Sequence, residues 1–166
     1  RFKVADDLNV AMFAGFMETM VLATPVMAAE YATLTMSING SGGVAGLQFD
    51  LDGTNPDVFR AASGDGGAVT GTNKSGTAIT ATTTTSSGQT VTADKFVVAR
   101  VEISPSGRID YLLAADKELT LVESITGAIT ASDLFYAVLM LENREAAAKE
   151  FEVDYVYARG FRDWTA

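Results

Sequence analysis

The chain has no cysteine and no histidine among its 166 residues, only 3 prolines and a single tryptophan. Without thiolate or imidazole it has no Ser-His-Asp relay, no Cys-His pair, no zinc or haem site built on those ligands and no disulfide framework. Carboxylate, hydroxyl, lysine and arginine chemistry remains. The lack of cysteine leaves the redox compartment open, because a domain of this length needs no covalent staples. Positive charge is also scarce. Twelve basic against 21 acidic residues give a net charge of −9, a sign that repels phosphate backbones and anionic headgroups. Neither nucleic acid nor a membrane is therefore expected as a partner. No window reaches the ~18 uninterrupted apolar residues of a spanning helix. The apolar stretch at 17–32 contains Glu18 and Pro25 and lacks a basic flank, so it does not read as a targeting segment and a soluble chain is expected. The opening Arg1-Phe2-Lys3-Val4, without Met, is that expected of a processed or trimmed piece.

What is present is a packed-domain composition, 48% hydrophobic and 20% charged, in a length suited to one domain spanning 1–166. Ala32, Leu34, Met36 and Ile38 alternate with Thr33, Thr35 and Ser37, the period of a half-buried strand. The period returns at Leu47, Phe49 and Leu51 against Gln48, Asp50 and Asp52, and at Val97, Ala99, Val101 and Ile103 against Arg100, Glu102 and Ser104. It returns again at Ile109, Tyr111 and Leu113, after a Pro105-Ser106-Gly107 break that predicts a hairpin connection with glycine at positive φ. Residues 134–141, LFYAVLML, are apolar on both parities, which predicts a central strand covered on both faces rather than an edge strand. Phe151, Val153, Tyr155 and Tyr157 alternate with Glu152 and Asp154 and predict a closing strand with its aromatics inward, paired near 10–16. The 10–16 segment fits helix and strand spacing alike, and Gly15 together with the surrounding strands favours strand. Residues 143–149 read as a loop with at most a short helix. Residues 63–92, rich in Thr, Gly and Ser, read as a loop-prone insertion of weak exposed strands, and 159–166 as a C-terminal tail. The expected fold class is all-β, an antiparallel β-sandwich.

Three places carry candidate sites. The string DLDGTNPD places Asp50, Asp52, Asn55 and Asp57 around Gly53, a spacing of oxygen ligands that calcium accepts. Asp-Gly is also a common turn signal, and the string lacks a distal bidentate Glu. A turn is favoured, and no metal or other cofactor is expected. Glu152 and Asp154 would project from one face of a strand with Cα atoms about 7 Å apart, compatible with paired-carboxylate glycosidase chemistry. Locally this is similar to the Glu-x-Asp-x-x-Glu strand of laminarinase-type sandwich glucanases, but Tyr157 stands where the third carboxylate belongs. The expectation is a non-enzymatic chain. In the tail, Arg159, Phe161, Arg162 and Trp164 mix basic and aromatic residues as interaction hot spots do, and they form the expected interface with a neighbouring subunit. The competing reading packs the aromatics back onto their own domain.

The second half, 95–162, resembles the concanavalin-like (laminin-G-like) jelly-roll domains of tailed-bacteriophage virion structural proteins. The resemblance rests on Arg100-Val101-Glu102, Ser106-Gly107, Ile129-Thr130, the apolar strand at 134–141, Ala146-Ala147-Ala148 and Val153-Asp154-Tyr155-Val156. The front half matches less specifically, through MFAGFMET around Phe16 and GLQFDLDGTNPDVFRA. The family hairpin usually reads Phe-Tyr-x-Asn/Asp-Gly, whereas 110–117 contains no glycine. The resemblance implies a jelly roll acting as a capsid decoration or similar exterior protein of a phage particle. It also implies capsid or other virion subunits as partners, a homo-oligomer, and no catalysis. The alternative is a carbohydrate-binding module of a phage or secreted protein, with a surface glycan as partner.

Overall fold

The computed structural model describes residues 1–4, 10–20, 25–32, 35–38, 42–50, 59–64, 96–114, 118–130, 134–144, 146, 148 and 150–160. The described residues form strands and no helix: β1 (Phe2–Val4), β2 (Val10–Met17), β3 (Ala29–Ala32), β4 (Thr35–Ile38), β5 (Val44–Asp50), β6 (Arg60–Gly64), β7 (Val98–Ile103), β8 (Ile109–Ala114), β9 (Thr120–Ile125), β10 (Tyr136–Asn143) and β11 (Phe151–Val153). Every pairing is antiparallel. One sheet has the order β10-β2-β5-β6 and a second the order β7-β8-β9, while β1-β11 and β3-β4 are two-stranded ribbons. Phe2 and Val97 exchange backbone hydrogen bonds of 3.0 and 2.7 Å. This bridge joins the β1-β11 ribbon to the start of β7, so the second layer runs on from ribbon to sheet.

The two layers close on a core of large side chains. Met12 from β2, Leu47 and Phe49 from β5, and Ile109, Tyr111 and Leu113 from β8 are all buried there with Phe2 and Phe59. Each such side chain stabilises the fold by about 1.5–3 kcal/mol through burial alone. The rings of Phe151, Phe2, Phe59 and Phe49 follow one another at centroid distances of 5.7, 6.1 and 5.8 Å, in tilted and edge-on geometries that favour aromatic pairs. The sheets packed face to face make a β-sandwich.

The four-stranded sheet is covered on its other face too. Ala11, Phe13 and Met17 of β2, Val44 of β5 and Ala62 of β6 bury against Met27, Ala28, Ala29 and Ile38, which belong to the β3-β4 ribbon and its approach. Close approach of β2 and β5 requires glycine at two facing positions, Gly15 and Gly46. A Cβ on Gly15 would sit 2.3 Å from the Ala45 carbonyl oxygen, and one on Gly46 would sit 2.2 Å from the Phe13 ring.

The 10–16 segment is the strand β2, and the hairpin between β7 and β8 turns as expected. There the Gly107 N–H donates to the Ser104 carbonyl at 2.9 Å, with Gly107 at φ 77°. Several expectations need correction. The alternation read as one strand at 32–38 belongs to two strands, because β3 and β4 pair antiparallel with Ala32 opposite Thr35. The apolar strand β10 does supply both faces, with Leu139 and Leu141 against the aromatic core and Val138 and Met140 against the other. It nevertheless lies at the sheet edge and is only half-buried, and β5 is the strand buried along its whole length. Ser63 and Gly64, placed in the loop-prone insertion, are buried in β6; residues 65–92 lie outside the described residues. The closing strand stops at Val153 and pairs with β1, not with β2. Of its alternating residues Phe151 is half-buried and Val153, Tyr155 and Tyr157 are exposed. Apolar alternation states which residues share a face. It does not state whether that face meets its own core.

Candidate functional site

The buried face of β5 carries charge. Gln48 and Asp50 share a parity with Val44 and point under the β3-β4 ribbon, and the Gln48 amide donates to the Asp50 carboxylate at 3.1 Å. Arg144, just after β10, reaches into the same place. Its Nη2 donates to Asp50 at 3.1 Å and to Glu30 of β3 at 3.2 Å, and its Nη1 to Glu142 at 3.2 Å. One guanidinium thus ties three strands together. Burial opposes the charge on Arg144, but Asp50, Glu142 and Glu30 outweigh it and hold the guanidinium pKa above its usual value. The Asp50 side chain is 1% exposed, and a carboxylate at that depth requires such a cation. This cluster was not read from the sequence. Arg144 lies 94 and 114 residues from Asp50 and Glu30, and no local spacing announces it.

Asp50 was the first of the calcium candidates, and its Oδ2 accepts from Arg144 and Gln48. Asp52, Asn55 and Asp57 lie outside the described residues. Among the described residues no group of three or more acidic side chains is arranged to hold a metal ion. Glu152 and Asp154 each meet a cation instead of each other, Lys3 at 2.9 Å and Arg1 at 2.8 Å. They form the acidic side of the β1-β11 ribbon. No helix of the described residues is long and apolar enough to cross a membrane.

The expected interface begins at the end of that ribbon. Residues 154–160 continue past β11 with every residue exposed. Their root is fixed: the Asp154 N–H donates to the Arg1 carbonyl at 3.0 Å, and the Arg1 amine donates to the Tyr155 carbonyl at 2.8 Å. The Arg1 guanidinium also lies 4.2 Å from the Phe96 ring centroid. Past this clamp the side chains are apolar and uncovered, Tyr155 at 50%, Val156 at 62% and Tyr157 at 77% exposure. Arg159 lies on this segment and is exposed; Phe161, Arg162 and Trp164 lie outside the described residues. A second surface feature is a shallow cleft of about 300 Å³ lined by Glu18, Thr19, Met20 and Tyr136, where the ends of β2 and β10 meet. Its Glu18 accepts from the Gly43 N–H at 2.7 Å.

No protein-family model, curated protein or solved structure matches this chain.

Proposed function

We propose that this chain is a non-enzymatic structural subunit of a virion, a concanavalin-like jelly roll on the exterior of a tailed-bacteriophage capsid, where it serves as a decoration protein. The observation that carries the reading is the exposed apolar segment at 155–157, held at its root and uncovered beyond it. Large side chains left in water at the end of a fixed ribbon suit a surface that works by contact with another subunit. The carboxylates weighed for chemistry are instead engaged with arginine and lysine. The virion assignment itself rests on the resemblance of 95–162 to phage structural domains. The test is to add the purified chain to capsids that lack it and image the particles. Ordered density at the outer shell is the expected result; capsids that stay bare overturn the reading.

A carbohydrate-binding module is the second reading, favoured by the exposed Tyr136 beside Glu18 and Thr19 in the cleft. An aromatic face with adjacent oxygen acceptors is the minimum a sugar ring needs. Saturable binding on a glycan array, lost in Tyr136→Ala, would select it over the structural reading.

A further inference from the structure

Acidic residues outnumber basic ones, yet most of the described carboxylates meet an arginine or lysine. Among the described residues Glu18 has no such partner. Glu118 and Glu150 have none either, but they stand exposed, whereas Glu18 is half-buried and lines the cleft where β2 and β10 end. Its carboxylate is also fixed in place. The Glu18 N–H donates to the Gly43 carbonyl at 2.8 Å, and the Gly43 N–H donates back to Glu18 Oε2 at 2.7 Å, so backbone and side chain are tied to one residue. A Cβ on Gly42 would fall 2.8 Å from Glu18 Oε2 and 2.9 Å from Thr19 Oγ1. Both oxygens border one point, which puts a carboxylate and a hydroxyl side by side. The same cleft is lined by Tyr136, 59% exposed, and Met20, 38% exposed.

We propose that this cleft binds a sugar carrying a free, protonated amino group next to a hydroxyl. The inference rests on the carbohydrate-binding reading and narrows it to unacylated amino sugars. A neutral sugar brings no cation to Glu18. The ammonium of an amino sugar does, through a charge-assisted hydrogen bond roughly twice as strong as a neutral one. The hydroxyl beside it matches Thr19, and the C–H side of the ring matches Tyr136, whose ring face also attracts a nearby cation. A lysine side chain would supply the ammonium without the adjacent hydroxyl or the ring. The cleft volume of about 300 Å³ lies at the lower end for ligand sites and suits a single sugar ring. The net charge of −9 draws a cationic saccharide from a distance.

The test titrates the ¹⁵N-labelled full chain with glucosamine, N-acetylglucosamine, glucose and lysine amide at about pH 6, where amines are protonated and carboxylates ionised. The Gly43 amide, hydrogen-bonded to Glu18, is the reporter. Glucosamine should shift it saturably and bind at least about tenfold more tightly than either neutral sugar, the difference made by one hydrogen bond to a charged group. Glu18→Gln keeps an acceptor for Gly43 and should reduce glucosamine to the level of glucose at an unchanged melting temperature. Tyr136→Ala should weaken all three sugars. If Glu18→Gln does not fold, the comparison of charged with neutral sugars on the parent still decides. Equal binding of glucosamine and the neutral sugars overturns the proposal and leaves the carbohydrate-binding reading standing, as does undiminished glucosamine binding by a folded Glu18→Gln. Lysine amide binding as tightly as glucosamine overturns the proposal, because the cleft then reads an amine and not a sugar. An unmoved Gly43 amide with every sugar removes both the proposal and the carbohydrate reading of this cleft.

Discussion

The two faces of the four-stranded sheet are covered by different means. One face meets β7-β8-β9 and the β1-β11 ribbon through Phe2, Phe49, Phe59 and Tyr111, large rigid side chains that interlock. The other meets the β3-β4 ribbon through alanines, methionines, Phe13 and Ile38, with Arg144 joining Glu30, Asp50 and Glu142 beside them. Area and shape hold the aromatic face. The second face has less apolar volume, and among the described residues its ribbon shares no backbone hydrogen bond with the sheet beneath. Among the described residues, one cation there reaches carboxylates on three elements. A core built on large rings is specified by volume, whereas one built on small or flexible residues takes its register from directional polar contacts.

The comparison breaks most completely where both faces depend on the same spacing. Gly15→Ala places a methyl 2.3 Å from the Ala45 carbonyl oxygen and 2.4 Å from the Gly46 Cα. Neither is a movable side-chain end, so β2 and β5 must separate. Soluble yield and cooperative melting should both be lost, as expected for a change costing more than about 4 kcal/mol. On the aromatic face, Phe49→Ala should cost about 3–5 kcal/mol in urea unfolding, because Phe2, Phe59 and their neighbours cannot fill the void. On the second face, Arg144→Met should cost about 2–3 kcal/mol, since Asp50 stays buried without its cation; the figure is reduced for the part-exposed guanidinium. Arg144→Met/Asp50→Asn should recover part of that loss. If the two single costs simply add in the double variant, the cation is not what holds this face.

The smallest effect sharpens the comparison by pH. Tyr111 is fully buried and donates its hydroxyl to the Ala62 carbonyl at 3.2 Å. Burial drives its pKa well above the ordinary tyrosine value. The folded pKa is raised, so this contribution to stability is complete below the unfolded value, about pH 10, and is lost progressively as pH rises above it. Tyr111→Phe should cost about 1 kcal/mol at neutral pH for the lost hydrogen bond. It should also flatten the fall in melting temperature above that pH. An equally steep alkaline fall in the variant would assign the effect to other groups.

The hairpin of β7 and β8 was legible because its information is local: Val101, Ile103, Ile109 and Tyr111 sit on the expected parity, and Gly107 takes the positive φ that its turn needs. The candidate site was less so. The tail was expected to begin at Arg159, yet the exposed apolar side chains start at Val153, on residues whose alternation reads as core. Asp50 read as a solvent or calcium residue because its partner Arg144 lies 94 residues away. A one-dimensional pattern cannot separate a carboxylate facing water from one facing a distant guanidinium.

By itself the sequence determined the all-β class, the parity of side chains along each clear strand, and the exclusion of imidazole and thiolate chemistry. These follow from inventory and from the two-residue period of the extended backbone, which hold whatever the strands pack against. Tertiary structure alone decided which strand is central, which face is covered twice and which apolar residues stay in water. β5 with Gln48 and Asp50 became the buried strand, and the more apolar β10 became the edge. The physical reason is that burial belongs to pairs of surfaces. A strand's own residues set what each of its faces offers, and only the elements brought against it from elsewhere in the chain set whether that face is dry.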